Sequence, residues 1–271
     1  MTEKQWKKSV AEQWGLFLPP ARPSLSELAV FEQNLLELKS AKPHVRVGIL
    51  GSTPEYRDLC QTYGADYQCI EYNPANFTTL GQFMLHRDDN NHIVESDWRT
   101  MGFEQSFDLF MGDLVTTVVP VKDHAEIFRN IRKHCTSEAR VMLKVPLRQD
   151  NRHMTHREIF NLYRRKFSHL NPFAAVWHEV LLSDYNFEED TMHCQTSLQS
   201  LSRSLDNGTI NAFEFGEFKK RWDALGDFKM NIPLEKAYME KIGEHFKALR
   251  KSSGTDWYKR WSPILIVSPR A

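Results

Sequence analysis

The stretch V-R-V-G-I-L-G-S-T-P-E-Y-R, residues 45–57, decides the fold. Its first six residues are a short apolar run that predicts a strand, which Gly51 closes. Thr53 suits the N-cap of a helix and Pro54 suits its first position. Apolar residues then recur at helical spacing as far as Gly64. The stretch therefore predicts a strand, a tight turn and a helix.

The same alternation continues along the chain on both sides of this stretch. A helix capped by Ser24 is predicted through about residue 38, and further strands are predicted at 67–70, 93–94, 107–112 and 140–145. Alternating strands and helices predict a Rossmann-like α/β fold, in which a doubly wound, mainly parallel sheet carries helices on both faces. The apolar residues 264–267 predict a last strand that returns to the edge of the sheet.

The chain divides into three predicted parts. Residues 1–44 form an N-terminal helical segment that covers the ligand site. Residues 45–150 and 260–271 form the sheet core, and residues 151–259 form a mainly helical cap for the substrate, inserted before the last strand. Aromatic-rich helical patterns define the cap, at 157–167, 213–225 and 234–249.

Composition limits the classes of partner. The 271 residues contain 35 Lys and Arg against 35 Asp and Glu, so we expect no nucleic-acid partner. No segment has the apolar length of a membrane span or a secretory signal, which favours a cytoplasmic protein without membrane attachment. The four cysteines lack C-x-x-C spacing, which favours buried thiols over a zinc cluster or disulfides.

Acidic residues follow the predicted strands. Glu71, Asp97 and Asp113 each stand at a strand end, where an open α/β sheet places its ligand crevice. Glu71 follows Gly51 by about 20 residues, the spacing at which a carboxylate reaches a ribose. Flat rings in the same region, which could line an adenine base, are Phe77 and Trp98, with Met101 beside them.

These residues carry a resemblance to a known family. The segments V-G-I-L-G-S-T-P-E-Y-R, I-E-Y-N-P, E-S-D-W-R and F-D-L-F-M-G-D occur in this order, each at a predicted strand end. Residues 45–146 thereby resemble class I S-adenosylmethionine-dependent methyltransferases of the small-molecule type. The resemblance implies S-adenosyl-L-methionine as cofactor, S-adenosyl-L-homocysteine as product and a small molecule as methyl acceptor.

The resemblance also implies roles for particular residues. The first turn would receive the methionine part of the cofactor through Gly51, Ser52, Thr53, Pro54 and Glu55. The ribose would be held by Glu71 beside Tyr72, and the adenine by Asp97 with Trp98. This turn has fewer glycines than is usual in the family, because T-P-E follows Gly51.

The remaining predicted roles belong to the reacting centre and the N-terminal segment. Asp113 would bind the methionine ammonium or touch the substrate. Since an activated methyl donor mainly demands alignment, a base is needed only for an acceptor that carries a proton, and Asp113, His124 or His178 could serve. Trp14 is predicted to stack over the cofactor and Arg22 to pair with its carboxylate.

Other functions stay open at the level of sequence. A nicotinamide-dependent oxidoreductase could use Glu71 for its ribose, although G-x-G-x-x-G is missing. A binding protein that resembles a methyltransferase but transfers nothing is the third hypothesis. No metal site is expected, because the segment around Asp206 lacks the first calcium ligands and His153 with His156 lacks the H-E-x-x-H pattern. The sequence leaves the acceptor and the oligomeric state undefined.

Overall fold

Strands and helices alternate through the first half of the chain. The structure, a computed structural model, describes residues 7–87 and 90–270. The strands are β1 (Arg46–Leu50), β2 (Asp66–Glu71), β3 (Ile93–Glu95), β4 (Phe107–Asp113), β5 (Cys135–Lys144), β6 (Met192–His193), β7 (Lys229–Met230), β8 (Phe246–Ser252) and β9 (Ile264–Pro269).

The α-helices begin with the short α1 in the N-terminal segment. They are α1 (Lys8–Ala11), α2 (Leu25–Ala41), α3 (Pro54–Thr62), α4 (Pro74–Leu80), α5 (His124–Lys133), α6 (His156–Leu162), α7 (Pro172–Ser183), α8 (Cys194–Asp206), α9 (Ala212–Leu225) and α10 (Glu235–Gly243). Single 3-10 turns occupy Trp14–Leu16, Gly81–Phe83, Asn90–His92, Val115–Thr117 and Val121–Asp123, and a π-helical turn, Tyr163–Phe167, extends α6.

Seven strands form the main sheet in the order β3-β2-β1-β4-β5-β9-β8. The first five are parallel, and β9 runs antiparallel between β5 and β8. The predicted doubly wound, mainly parallel sheet is confirmed. The prediction that the last strand returns to the sheet edge is wrong, because β8 pairs with the outer side of β9.

Helices cover both faces of this sheet. Phe31 of α2 and Tyr56 of α3 belong to the buried cluster on one face, with β-strand residues such as Ile49. Ile127 of α5 and Ile242 of α10 belong to the cluster on the other face. Neighbouring residues of one strand point to opposite faces, so the strands supply apolar side chains to both clusters.

The cap is an insertion between β5 and α10. It consists of α6 to α9 and the two-stranded β6-β7 sheet, and its aromatic core contains Trp177 and Trp222. The predicted helix over 234–249 is wrong in its second half, because β8 begins at Phe246 and pairs with β9. The predicted boundary of the cap at residue 259 therefore lies too late, since α10 and β8 belong to the sheet core.

Two predicted N-caps of helices can be compared with the structure. Ser24 caps α2 and forms a capping box with Glu27, as the predicted helix start requires. The capping box predicted for Asp123 and Glu126 is wrong, because the Asp123 side chain makes no capping bond and accepts from Arg99. None of the helices in the described ranges combines the length and apolar character needed to traverse a bilayer.

Candidate functional site

A large cavity lies where β1 to β4 end, beneath the cap and the N-terminal segment. Its empty space measures about 1410 Å³ with the open mouth included. The crevice opens between the ends of β1 and β4, where the strand order reverses.

The turn after β1 forms part of the cavity wall. Gly51 has a φ of 97°, a conformation that favours glycine, and it brings the backbone close to the Trp98 ring. Ser52 and Thr53 line the cavity, and α3 starts at Pro54. Thr53 occupies the predicted N-cap position without a side-chain capping bond. At this helix start Pro54 has no N–H, and the N–H groups of Tyr56 and Arg57 donate to the Thr53 carbonyl, so the turn meets the cavity at residues 51–53.

Glu71, at the end of β2, lines the cavity, and three hydrogen bonds hold its carboxylate. One carboxylate oxygen accepts from the Ser52 hydroxyl at 3.0 Å, and the other accepts from the backbone N–H of Asn73 at 3.0 Å and from the Asn76 amide at 3.3 Å. Burial raises the pKa of the Glu71 carboxyl, and these hydrogen bonds offset part of the effect. Tyr72 also lines the cavity.

Asp97 lines the same cavity, so the two predicted acids share one crevice. Its carboxylate accepts from the Arg99 guanidinium at 2.5 to 3.1 Å and from the Arg99 backbone N–H at 2.9 Å. Although burial acts to raise the pKa of Asp97, the bonds from Arg99 outweigh it and lower the pKa. Its contact with an adenine amine stays a prediction, and Arg99, which sequence reasoning missed, lines the cavity as well.

Trp98 is the one predicted adenine-contacting ring that reaches the cavity. Its indole N–H donates to the Ile70 carbonyl at 2.7 Å, which fixes the ring beside Gly51. Phe77 lies under the Arg57 guanidinium, 3.8 Å from the ring centroid, and Met101 lies in the core beneath the sheet. Neither is among the residues that line the cavity, so their predicted contact with a base is wrong.

Asp113 ends β4 and faces the cavity at the crevice. Burial raises the pKa of its carboxyl to about 7, although Lys144 acts in the opposite direction from 3.4 Å. The next residue, Leu114, has a φ of 55°, which is strained for a branched side chain. Such strain is typical of functional sites and here turns the chain from β4 into the cavity wall.

Lys144, at the end of β5, was not singled out by the sequence. Its buried ammonium donates to the carbonyls of Pro20 at 2.9 Å and Arg22 at 3.1 Å, and it lies 2.9 Å from a Glu27 carboxylate oxygen. One lysine therefore joins the sheet, α2 and the N-terminal segment behind the cavity. The sequence feature that could have identified this residue is a lysine at the end of an apolar strand.

The N-terminal segment, residues 7–24, covers one side of the cavity. Trp14 lines the cavity, and its indole N–H donates to Glu55 at 3.3 Å. Arg22 forms an ion pair with the same Glu55 carboxylate. Neither Glu55 nor Arg22 belongs to the cavity lining, so the structure gives Arg22 a partner in the protein where a cofactor carboxylate was predicted.

The two histidines considered as bases do not reach the cavity. His178 is stacked on Trp261 with ring centroids 4.1 Å apart, and burial lowers its pKa to about 3. The structure therefore contradicts a catalytic role for His178. His124 lies 2.9 Å from the Thr116 carbonyl and 3.0 Å from the Val119 carbonyl, and burial lowers its pKa to about 4. It holds the loop that forms the cavity wall.

The described residues contain no cluster of three or more acidic, histidine or cysteine side chains suited to a metal ion. The cysteines at 60, 69, 135 and 194 are buried thiols that form no disulfide with one another, as predicted.

Comparisons with known proteins identify the fold. No protein-family model matches this sequence, and no curated protein matches it. Among solved structures, the CcbJ methyltransferase from Streptomyces caelestis is 8% identical with a TM-score of 0.58, covering 98% of this chain and 100% of that chain. An S-adenosylmethionine-dependent methyltransferase from Clostridium acetobutylicum ATCC 824 is 10% identical with a TM-score of 0.50, covering 89% and 91%.

A Rhodobacter sphaeroides protein, provisionally described as a Zn-dependent alcohol dehydrogenase, is 16% identical with a TM-score of 0.56, covering 97% of this chain and 98% of that chain. The dinucleotide-binding fold has the strand order 3-2-1-4-5-6, whereas β9 here is inserted antiparallel before the outermost strand. Over nearly its whole length, this chain has the Rossmann-like α/β fold of class I S-adenosylmethionine-dependent methyltransferases.

Proposed function

We propose that this protein transfers a methyl group from S-adenosylmethionine to a small molecule. The observation that carries the proposal is that Gly51, Glu71, Asp97 and Asp113, from four separate strand ends, line one cavity. A glycine turn and carboxylates at successive strand ends match the hydroxyl groups and the cation of such a cofactor. An acceptor would lie against the aromatic residues of the cap that line the same cavity.

The residues present fit this cofactor at three points. The Glu71 carboxylate would accept from the ribose hydroxyls, with the rotatable Ser52 hydroxyl giving way. Trp98 would contact the adenine, beside the Asp97 and Arg99 pair. The turn at residues 51–53 would lie against the methionine part of the cofactor, and Asp113 would meet its ammonium.

When bound, the cofactor supplies a sulfonium methyl group to an acceptor lone pair, and the electrons of the broken C–S bond remain on sulfur. This chain's own contribution is alignment of the two reactants and exclusion of water. Asp113 lines the cavity at the end of β4, and burial raises the pKa of its carboxyl to about 7. It would therefore receive the acceptor's proton near neutral pH if the acceptor carries one.

Calorimetric titration with S-adenosylhomocysteine tests the proposal. The wild-type protein should bind the product at one site, and Glu71→Gln should weaken binding by about tenfold or more, because a carboxylate bonded to hydroxyls contributes about 1.5–3 kcal/mol. Glu95→Gln is the matched control, since Glu95 is an exposed residue on β3. Absence of binding to the folded wild-type protein would reject the proposal.

A parallel titration with NADH distinguishes the proposed methyltransferase from a nicotinamide-dependent oxidoreductase. Binding of NADH in place of S-adenosylhomocysteine would favour the nicotinamide enzyme. Binding of S-adenosylhomocysteine without methyl transfer to any of a broad acceptor panel would favour a non-catalytic binding protein.

A further inference from the structure

We infer that the methyl acceptor is an uncharged, largely apolar aromatic molecule with one hydrogen-bonding group. This inference rests on the proposed function, and it comes from the chemistry of the cavity wall opposite the cofactor residues.

Three separate elements form that wall. The cap contributes Phe173, Trp177 and Trp222 among others, the N-terminal segment contributes Trp14 and Phe17, and the loop after β4 contributes Val118. All six belong to or pack against one apolar cluster. Flat aromatic side chains bind flat aromatic ligands through dispersion and edge-to-face contacts.

Charged groups are confined to the opposite end. Among the described residues that line the cavity, the titratable ones are Glu71, Tyr72, Asp97, Arg99 and Asp113, and all of them stand at the ends of β2, β3 and β4. A charged acceptor lodged against the cap would lose its hydration without gaining a partner, and burying an unpaired charge is strongly unfavourable. The wall therefore selects against acceptors charged at the end that meets the cap.

One polar side chain interrupts the apolar loop. Thr117 lines the cavity and is 1% exposed, and its hydroxyl has no hydrogen-bond partner among the described residues. Its carbonyl is already bonded to the backbone and side chain of Asn231, so the residue is held in place. Buried hydroxyls are normally paired, so this one can serve a single polar atom of the acceptor.

Two dyes that share a skeleton test the inference. N-phenyl-1-naphthylamine is uncharged, and 8-anilino-1-naphthalenesulfonate has the same rings with a sulfonate. Fluorescence titration of the protein saturated with S-adenosylhomocysteine should show one site that prefers the uncharged dye by about tenfold or more. Equal affinity for the two dyes, or no saturable binding of the uncharged dye, would overturn the inference.

Variants place that binding in the cavity. Val118→Asp puts a charge on the half-buried loop residue and should weaken the uncharged dye about tenfold or more. Phe213→Asp is the control, because Phe213 is 61% exposed and does not line the cavity. A dye affinity that is unchanged in Val118→Asp, or lowered equally in Phe213→Asp, would place the dye elsewhere and overturn the inference.

A second pair of variants tests the role of the Thr117 hydroxyl. Thr117→Val should weaken the uncharged dye, which has an N–H group, by roughly threefold to tenfold. Thr116→Val removes a hydroxyl that lies 3.2 Å from the Tyr238 hydroxyl and outside the cavity lining, and should leave dye affinity unchanged. Equal effects of the two would remove the role assigned to Thr117.

Calorimetry with S-adenosylhomocysteine alone separates this inference from the proposed function. If the product fails to bind, the dye titration is repeated without it. The predicted dye preference would then support the apolar site while rejecting the methyltransferase.

Discussion

The ammonium of Lys144 lies 2.9 Å from a carboxylate oxygen of Glu27, and both side chains are fully buried. Lys144 ends a strand of the sheet, whereas Glu27 belongs to the capping box that starts α2. The same ammonium binds the carbonyls of Pro20 and Arg22. One buried cation thus fixes the path by which the N-terminal segment reaches the cavity.

Lys144→Met should lower the free energy of unfolding by about 3–5 kcal/mol, because it leaves the Glu27 and Asp113 carboxyls buried without their cation. Urea denaturation measures the change. Lys247→Met is the control, since Lys247 is exposed on β8 and should change the free energy by less than about 0.5 kcal/mol. Equal changes in the two variants would contradict the role of the buried pair.

Gly51→Ala should destabilise the protein by about 1–2 kcal/mol, because φ is 97° at this position. It should also weaken binding of S-adenosylhomocysteine, since the turn must shift. Gly216→Ala gives the opposite sign: Gly216 lies in α9 with open space around it, and alanine there should stabilise by roughly 0.5–1 kcal/mol. Thermal unfolding with calorimetry of both variants checks the pair, and a stabilised Gly51→Ala would refute the strain.

Asp113 should make stability fall as pH rises. Burial raises the pKa of its carboxyl to about 7 in the folded protein, whereas an unfolded aspartate titrates near about 3.9. Between these values the folded state keeps a proton that the unfolded state releases, so up to roughly 4 kcal/mol is lost as pH rises from about 4 through 7.

Asp113→Asn lacks this titration and should therefore gain stability relative to wild type between about pH 5 and pH 8. Urea denaturation of both proteins across this interval measures the difference. Stability curves that stay parallel would show that Asp113 is ionised throughout.

Arg22→Met should loosen the N-terminal segment, because it removes the ion pair with Glu55 at the start of α3. Chymotrypsin, which cleaves after aromatic residues such as Trp14 and Phe17, should cut the segment faster than in wild type, and S-adenosylhomocysteine should bind more weakly. Lys7→Met is the control, since the Lys7 ion pair with Asp227 is half exposed and worth little. Wild-type cleavage and affinity in Arg22→Met would separate the segment from the cofactor site.

The sequence predicts the parallel half of the sheet well, because each strand there is an apolar run that ends in a turn residue. It predicts β8 wrongly as helix, because residues 247–251, K-A-L-R-K, lie on an exposed edge strand and have good helix formers. Pairing with β9 overrides that local preference. Strand order is likewise a tertiary property, which explains why β9 was expected at the edge.

The candidate site also has one part that the sequence predicts and another that it does not. Gly51, Glu71, Asp97 and Asp113 were predictable, because a residue at a strand end faces the crevice whatever its partners are. The ion-pair partners in and around the site were not predictable: Asp97 pairs with Arg99, and Arg22 pairs with Glu55. His178 was misjudged because α7 is buried along almost its whole length, so its sequence pattern does not indicate which neighbours the histidine faces. Charge pairing and burial depend on distances in the folded protein, and the spacing of residues along the sequence does not give those distances.

The antiparallel strand β9 has a consequence for how the molecule is made. It fills the gap between β5 and β8, and it is translated after both of them. Until residues 264–269 are made, β5 has an open edge, and residues 246–252 lack the strand with which they pair. Such edges attract foreign strands. The nascent protein thus depends on residues 264–269 to close its sheet against aggregation.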